Sequence, residues 1–421
     1  MAFSFIHTGD LHLDSPLTRL VSMEDERAVE IARAGRRAFA ELVDMAIERG
    51  VNAFLIAGDL WDGDWQDVGT GLFVQRQVAR LADAGIGVFA ILGNHDAASH
   101  ITDRIRHFDK LTLFGTDRPS SVECGEAVIH GMSFARRETV DNLAVRYPPA
   151  WPGRINIGLL HTGLENPRGH ARYAPCSLAE LSAKGYHYWA LGHIHARETL
   201  QENTATLGGT IAYCGVLQGR HVREPGVKGA LHGTVEGERV HLAEIDLAHV
   251  EWFEETVDVT SEPVESAIRA ALERVATGAT AEIVPVRLVL TGASEHHFAL
   301  LARQRALLDD ARLAASGLAN GRLLVERVRI ATTPPAAEGT PHLPSHFDDF
   351  LARAAADPAV AKGAQDDILA ILENAGSGEA RAALLELLPE IAAFENFRDL
   401  SALTEAAAAT VAGRLAGPDR S

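Results

Sequence analysis

Cysteine is scarce: three residues, Cys124, Cys176 and Cys214, stand far apart in a chain of 421. An odd, scattered set excludes a disulfide framework and a thiolate metal cluster, and it fits a reducing compartment, with the cytoplasm as the expectation. Long apolar runs are also missing. Without about 18 consecutive apolar residues no membrane span is expected, and Met1-Ala2-Phe3-Ser4 lacks the basic and apolar segments of a signal peptide before Asp10 arrives. Positive charge is short, with 39 Lys and Arg against 57 Asp and Glu and a net charge of −18. Phosphate contacts dominate nucleic-acid affinity, so an acidic chain can meet a polyanion only through a local basic strip. Arg136-Arg137, Arg220, Arg223 and Lys228 are candidates for one, ordinary surface charge being the competing reading. What remains, 47% hydrophobic and 23% charged residues over this length, describes a globular chain of two or three domains.

Carboxylates and histidines, by contrast, concentrate in five short segments: Asp10-Leu11-His12, Gly58-Asp59, Gly93-Asn94-His95-Asp96, His161 and Gly192-His193-Ile194-His195. Two divalent cations about 3.5–4 Å apart can share one phosphate ester if the protein supplies enough hard ligands and a bridging carboxylate. These segments supply them. Asp10, His12 and His195 are candidates for one ion, Asn94, His161 and His193 for the other, and Asp59 for the bridge. A set of carboxylate, carboxamide and imidazole suits Mn, Fe or Zn rather than Ca. Each segment also follows an apolar stretch of strand character: 3–6, 53–57, 87–92, 155–160 and 188–191. Ligands therefore gather where strands end and glycines admit close backbone approach, the place where α/β sheets bind. His7 and Asp14 read as strand-end and turn residues, and His100, His107, His130, His221 and His296-His297 as bystanders.

This series of motifs resembles the calcineurin-like metallophosphoesterase superfamily. His7-Thr8-Gly9-Asp10-Leu11-His12-Leu13-Asp14-Ser15-Pro16, Gly58-Asp59-Leu60-Trp61-Asp62 and Gly93-Asn94-His95-Asp96 are similar to its DNA-repair exonuclease branch of SbcD-type and YhaO-like proteins. Tyr213-Cys214-Gly215-Val216-Leu217-Gln218-Gly219-Arg220 and Glu224-Pro225-Gly226-Val227-Lys228-Gly229 look closest to the YhaO-like group. The resemblance covers about the first 250 residues. It implies that His95 is the catalytic histidine rather than a ligand, with Asp96 beside it holding its orientation. An imidazolium in reach of a leaving alkoxide protonates it or stabilises phosphoryl charge, and a paired carboxylate raises its pKa. Archaeal and eukaryotic relatives often carry His where Asp62 stands and bacterial ones Asp, a difference expected to touch substrate handling and not ion binding.

The expected fold class is α/β: two packed sheets flanked by helices over residues 1–252, as the superfamily also implies. A helix over 22–49, opened by a capping-box-like Ser22 and Asp25 and stopped by Gly50, and another over 72–84, stopped by Gly85, place the first motifs on βα units. Shorter strands are expected over 127–134, 205–212 and 240–245. Residues 253–333 read as strand, helix, strand, helix, strand (253–259, 264–275, 283–290, 298–314 and 323–330), at the position of the capping domain that related nucleases use to shape DNA access. A linker over 332–341 leads to helical periodicity over 345–421. Relatives dock a coiled-coil ATPase through helices in that place. A second copy of this chain, giving a homodimer, is the other expected occupant, and packing on its own chain is the structural alternative.

The functional expectation is a two-metal, Mn²⁺-dependent DNA exonuclease of DNA repair. A small-molecule or cyclic-nucleotide phosphodiesterase uses the same motifs but usually lacks a long extension. A non-catalytic scaffold of the same fold typically loses the catalytic histidine, and His95 is present.

Overall fold

The computed structural model describes residues 2–15, 26–62, 68–98, 108–164, 173–203 and 208–334, with isolated positions between 353 and 372. In the first sheet β1 (Phe3–Thr8), β2 (Ala53–Ile56), β3 (Gly87–Ala90) and β4 (Thr112–Leu113) run parallel in that order. On the other flank of β1, β11 (Gly226–Glu236) pairs antiparallel, and β12 (Arg239–Asp258) pairs antiparallel with β11. Side chains alternate across a strand. Ile6, Phe54, Ile56 and Val88 therefore share a core with Ala38, Phe39 and Leu42 of α1 (Glu26–Arg49) and Val74 and Val78 of α2 (Val68–Asp83). Phe5, Leu55 and Phe89 point the other way, into a layer shared with Ile129, Ile157, Leu159 and Tyr188. Both faces are covered, which is why these strands read as unbroken apolar runs.

The second sheet has the order β5 (Ser120–Cys124), β6 (Ala127–Gly131), β7 (Ile155–His161), β8 (Tyr188–Gly192), β10 (Thr210–Tyr213), β9 (Glu198–Gln201). Its four central strands β6, β7, β8 and β10 are parallel. Its outer face packs Leu160, Trp189, Leu191 and Ile211 against Tyr147, Tyr186 and Leu181, the last on α3 (Leu178–Ser182), whose start is fixed by a Ser177–Glu180 capping box. The result is the two-sheet α/β sandwich flanked by helices. All five motif segments follow, or end, parallel strands of these two sheets.

Two compact units divide the chain, and the division is interleaved: residues up to 254 with 275–286 and 322–326 form one, and 255–274, 287–321 and the residues from 327 onward form the other. Strand β12 is continuous over 20 residues, where two separate strands are read from the sequence. Its pairing with β11 runs on from Leu247 opposite Lys228 to Trp252 opposite Gly226 through a register shift, so the interruption in its pattern marks a bulge rather than a turn. In the second unit the far ends of β12, β13 (Val284–Ala293) and β14 (Leu323–Thr333) lie in the order β14-β13-β12, with α4 (Val264–Gly278), α5 (His297–Ala302) and α6 (Gln304–Ser316). The single helix expected over 298–314 is broken at Arg303, which has φ −103° and ψ 13°. Most of the linker and of the helices expected over 345–421 lies outside the described residues. Among the described residues no helix is long and apolar enough to cross a membrane.

Phe54 is fully buried and meets Phe39 edge-on at 6.0 Å, so it ties the strand that delivers Asp59 to the helix behind it. Phe54→Ala is expected to lose about 3–5 kcal/mol in urea denaturation, the usual result of emptying an aromatic site. A loss below about 1 kcal/mol would mean that this face is not packed.

Candidate metal centre

The loops after β1 and β2 continue to pair beyond the strands. Asp10 N–H donates to Gly58 O at 2.9 Å, His12 N–H to Asp59 O at 3.0 Å and Leu13 N–H to Leu60 O at 2.9 Å. Asp10 and Asp59 are thereby set side by side. The chain pays in backbone strain: Asp10, His12, Asp59 and His193 have φ of 47°, 41°, 51° and 98°. Of nine non-glycine residues with positive φ among those described, these four are candidate ligands, so strain of about 1–3 kcal/mol each gathers at one place. Glycine supplies the remaining closeness. A Cβ on Gly93 would run into the Asp59 carboxylate, and one on Gly58, whose φ is +96°, would lie 2.7 Å from His161 Nδ1.

The second sheet brings its ligands from the opposite side. His161, the last residue of β7, directs Nδ1 to Ala57 O at 2.9 Å, which turns Nε2 inward to within 3.0 Å of Asn94 Oδ1 and 3.4 Å of Asp59 Oδ2. His193 N–H donates to both oxygens of Asp10 at 3.0 Å, and its ring centroid lies 5.2 Å from that of His161. Asp59 Oδ1 accepts His95 N–H at 2.9 Å, leaving Oδ2 between His161 and His12, whose Nε2 is 3.8 Å away. Among the described residues, donor atoms of Asp10, His12 and His195 converge in one group, those of Asp10, Asp59 and His161 in a second, and those of His12, Asp62 and His95 in a third.

This donor set fits divalent ions. His12 Nε2 and His195 Nε2 face each other at 3.3 Å, while the Nδ1 of His195 is 2.7 Å from Glu224 Oε1 and that of His12 is 3.4 Å from Asp62 Oδ1. His161 and His195, whose rear nitrogens face Ala57 O and Glu224, can present lone pairs forward, the tautomer a metal needs, whereas His12 Nδ1 has no hydrogen-bond partner. Of the seven residues expected as ligands, Asp10, His12, Asp59, His161 and His195 fall into these groups, Asn94 stands 3.0 Å from His161, and His193 is placed by its backbone N–H on Asp10 with its ring 5.2 Å from that of His161; carboxylate, carboxamide and imidazole donors suit a first-row ion.

His95 is held differently from the sequence expectation. Its Nδ1 lies 2.6 Å from Asp62 Oδ1. The Asp96 carboxylate is turned into the backbone instead, accepting N–H from Leu60 at 2.8 Å, Trp61 at 3.2 Å and Gly93 at 3.0 Å. Adjacent residues point in different directions, so Asp96 braces the two motif loops and Asp62 orients His95. Asp62 and Glu224 were both visible in motif segments, but only the fold reveals that they stand behind His95, His12 and His195. Of the bystanders, His7 meets Tyr188 OH at 2.7 Å and His130 meets Ser121 and Asn156, both in the interior, and Asp14 anchors Arg36 of α1. His100 and His107 lie outside the described residues.

Burial and crowded charge shift the titrating groups in opposite directions. Burial lifts Asp10 to about 6, against His161 and His195. Burial also acts upward on Asp59, but His161, His95 and His12 outweigh it and hold that carboxyl well below the ordinary range. Burial, then Arg220, brings His12 down to about 3. For His161 the downward pull of burial is overcome by Asp59 and Asp10, which raise it to about 9. His95 is likewise raised against burial by Asp62 and Asp59. Protons stand here where cations can replace them.

A calcineurin-like phosphoesterase profile matches residues 3–197, and a profile for the middle domain of metallophosphoesterase YhaO matches 252–333. The metallophosphoesterase YhaO of Bacillus subtilis is 32% identical over 298 residues, covering 69% of this chain and 72% of that one. The chain is a YhaO-like member of the calcineurin-like phosphoesterase family. The DNA double-strand break repair protein Mre11 of Sulfurisphaera tokodaii is 29% identical over 171 residues, covering 39% of the YhaO-like chain and 43% of its own length. Mre11 of Saccharolobus solfataricus is 27% identical over 217 residues, with 50% and 53% covered. The chain thus spans about half the length of these Mre11 relatives. Family and donor set together make it a metal-binding phosphoesterase, a hydrolase.

Two outcomes are expected. Asp59→Ala is the most damaging ligand change, because Oδ2 faces both donor groups; calorimetry with Mn²⁺ that still finds two ions bound normally rules out the bridge. The second concerns metal-free protein. His161 titrates near 9 when folded against an ordinary 6.5, so across that window the native state holds more protons than the unfolded one, and stability falls as pH rises. His7 and His12, both lowered to about 3, act below this window. Melting temperature in chelator is expected to decline from pH 6.5 to about 9, and Mn²⁺ is expected to flatten the decline; a rising curve in chelator contradicts the His161–Asp59 pairing.

Proposed function

We propose that this chain is a metal-dependent DNA nuclease, working from strand ends in DNA repair, with Mn²⁺ as the ion. The observation that supports this reading is His95, whose Nδ1 lies 2.6 Å from Asp62 beside the donor groups of Asp10, His12 and His195 and of Asp10, Asp59 and His161, an arrangement in which its other ring nitrogen would serve the substrate. Two bound cations would neutralise phosphoryl oxygens and lower the pKa of an attacking water. The chain's own residues do the rest. Asp62 favours the protonated form of His95, whose Nε2 would then deliver a proton to the departing alkoxide. Asp59, fixed through Oδ1 by a backbone N–H, keeps the two halves of the site at one spacing. Similarity to proteins named for double-strand break repair supports DNA as the substrate class. Three free cysteines suit the cytoplasm.

In the same proposal 1–252 is the nuclease domain, 253–333 shapes access to DNA, and 345–421 docks a coiled-coil ATPase, or else a second copy of the chain. Purified protein, stripped with chelator and reloaded with Mn²⁺, is to be incubated with labelled single-stranded DNA, duplex DNA and cyclic nucleotides. Cutting of DNA from an end is expected; hydrolysis of cyclic nucleotides alone moves the reading to a small-molecule phosphodiesterase, and inertness on all three to a scaffold. His95→Asn is expected to bind two ions and lose about 10²–10⁴ in rate. Joint loss of metal and activity would make His95 a ligand.

A further inference from the structure

Arg220 lies on the segment after β10, and its side chain is only 12% exposed. Nη1 is 3.2 Å from Asp62 Oδ2 and 3.1 Å from Ser15 Oγ, and Nη2 is 3.0 Å from Glu224 Oε1. Its own backbone N–H donates to Glu224 Oε2 at 2.8 Å. Each of these carboxylates carries histidine on its other side: Asp62 Oδ1 meets His95 at 2.6 Å and His12 at 3.4 Å, and Glu224 meets His195 at 2.7 Å. Asp62 and Glu224 are 9% and 3% exposed, and a guanidinium stands between them.

We propose that Arg220 is a positioning residue which, by clamping Asp62 and Glu224 together, sets His95, His12 and His195 in one stroke, and that it does not grip the substrate phosphate. The proposal rests on the metal-dependent hydrolase reading. A planar fork spreads its donors over three nitrogens and so spans two carboxylates and a hydroxyl in fixed directions, whereas an ammonium gathers its three donors on one atom. Removing it leaves two buried like charges facing each other, so both carboxylates swing and the imidazoles they steady lose their aim. An arginine so engaged has no free edge for a phosphate, which removes it from the basic strip read in the sequence.

The test uses the full chain, Mn²⁺ calorimetry, and steady-state kinetics on bis-nitrophenyl phosphate. Arg220→Met is expected to weaken one of two Mn²⁺ sites about 10–100-fold, the range for lost outer-shell partners, and to lower kcat with KM unchanged. Arg220→Lys keeps the charge without the fork and is expected to show the same weakening; it serves if Arg220→Met does not fold. Guanidinium added to Arg220→Ala is expected to restore part of the ion affinity. A raised KM with both ions still bound, together with a salt slope of DNA binding reduced by about one, would make Arg220 a phosphate grip and overturn the proposal. Unchanged ion binding and kcat in the variants would also overturn it. Wild-type protein that takes up no Mn²⁺ sinks the hydrolase reading itself; wild type and variants that take up two ions alike sink only the role of Arg220.

Discussion

The turn Ala57-Gly58-Asp59 at the end of β2 must serve three neighbours within a few ångströms. Ala57 O receives His161 from the other sheet, Gly58 O receives the backbone of Asp10, and Asp59 sends one oxygen to His95 N–H and the other toward two imidazoles. No side chain fits at Gly58 or Gly93 without striking this arrangement. The spacing between the sheets at their carboxyl ends is set here, and the positions of both donor groups depend on it.

Such a turn is locally unfavourable. Left-handed backbone at Asp10, His12, Asp59 and His193, and several carboxylates out of water, cost free energy that nothing in these loops returns. The compensation comes from either side. Strands β1 to β3 bury one face on two helices and the other on the second sheet, so the loops grow from supports that cannot shift. Behind the donors, Asp62, Glu224, Asp96 and Arg220 hold His95, His195 and the backbone of the motif loops, while buried His12 Nδ1 is left without a hydrogen bond.

Charge is divided in the same way. Part of the excess acid is interior, facing histidines and Arg220, and contributes little to what a polyanion meets. Arg220 is engaged, and Lys228 is lowered by burial, whereas Arg136, Arg137 and Arg223 remain on the surface. A chain of net charge −18 therefore still carries cations at its surface.

Much of this was legible in the sequence, because apolar strands ending in Gly-Asp, Gly-Asn-His or Gly-His are local patterns and hydrogen-bonding donors of the right type are countable. The α/β class, the helices behind the first three strands and the grouping of donor residues at strand ends are set by such local rules. Partnership was not. The resemblance implied that Asp96 orients His95, but the side chains of these neighbours diverge, and a residue 33 positions before His95, Asp62, holds the ring. Nor could it show that β12 runs unbroken through a bulge, or that Arg303 splits a helix, since both depend on what packs alongside. Sequence determines which chemical groups are available and where strands stop; only the closing of two sheets on each other, with loops forced into left-handed backbone, decides which of those groups touch.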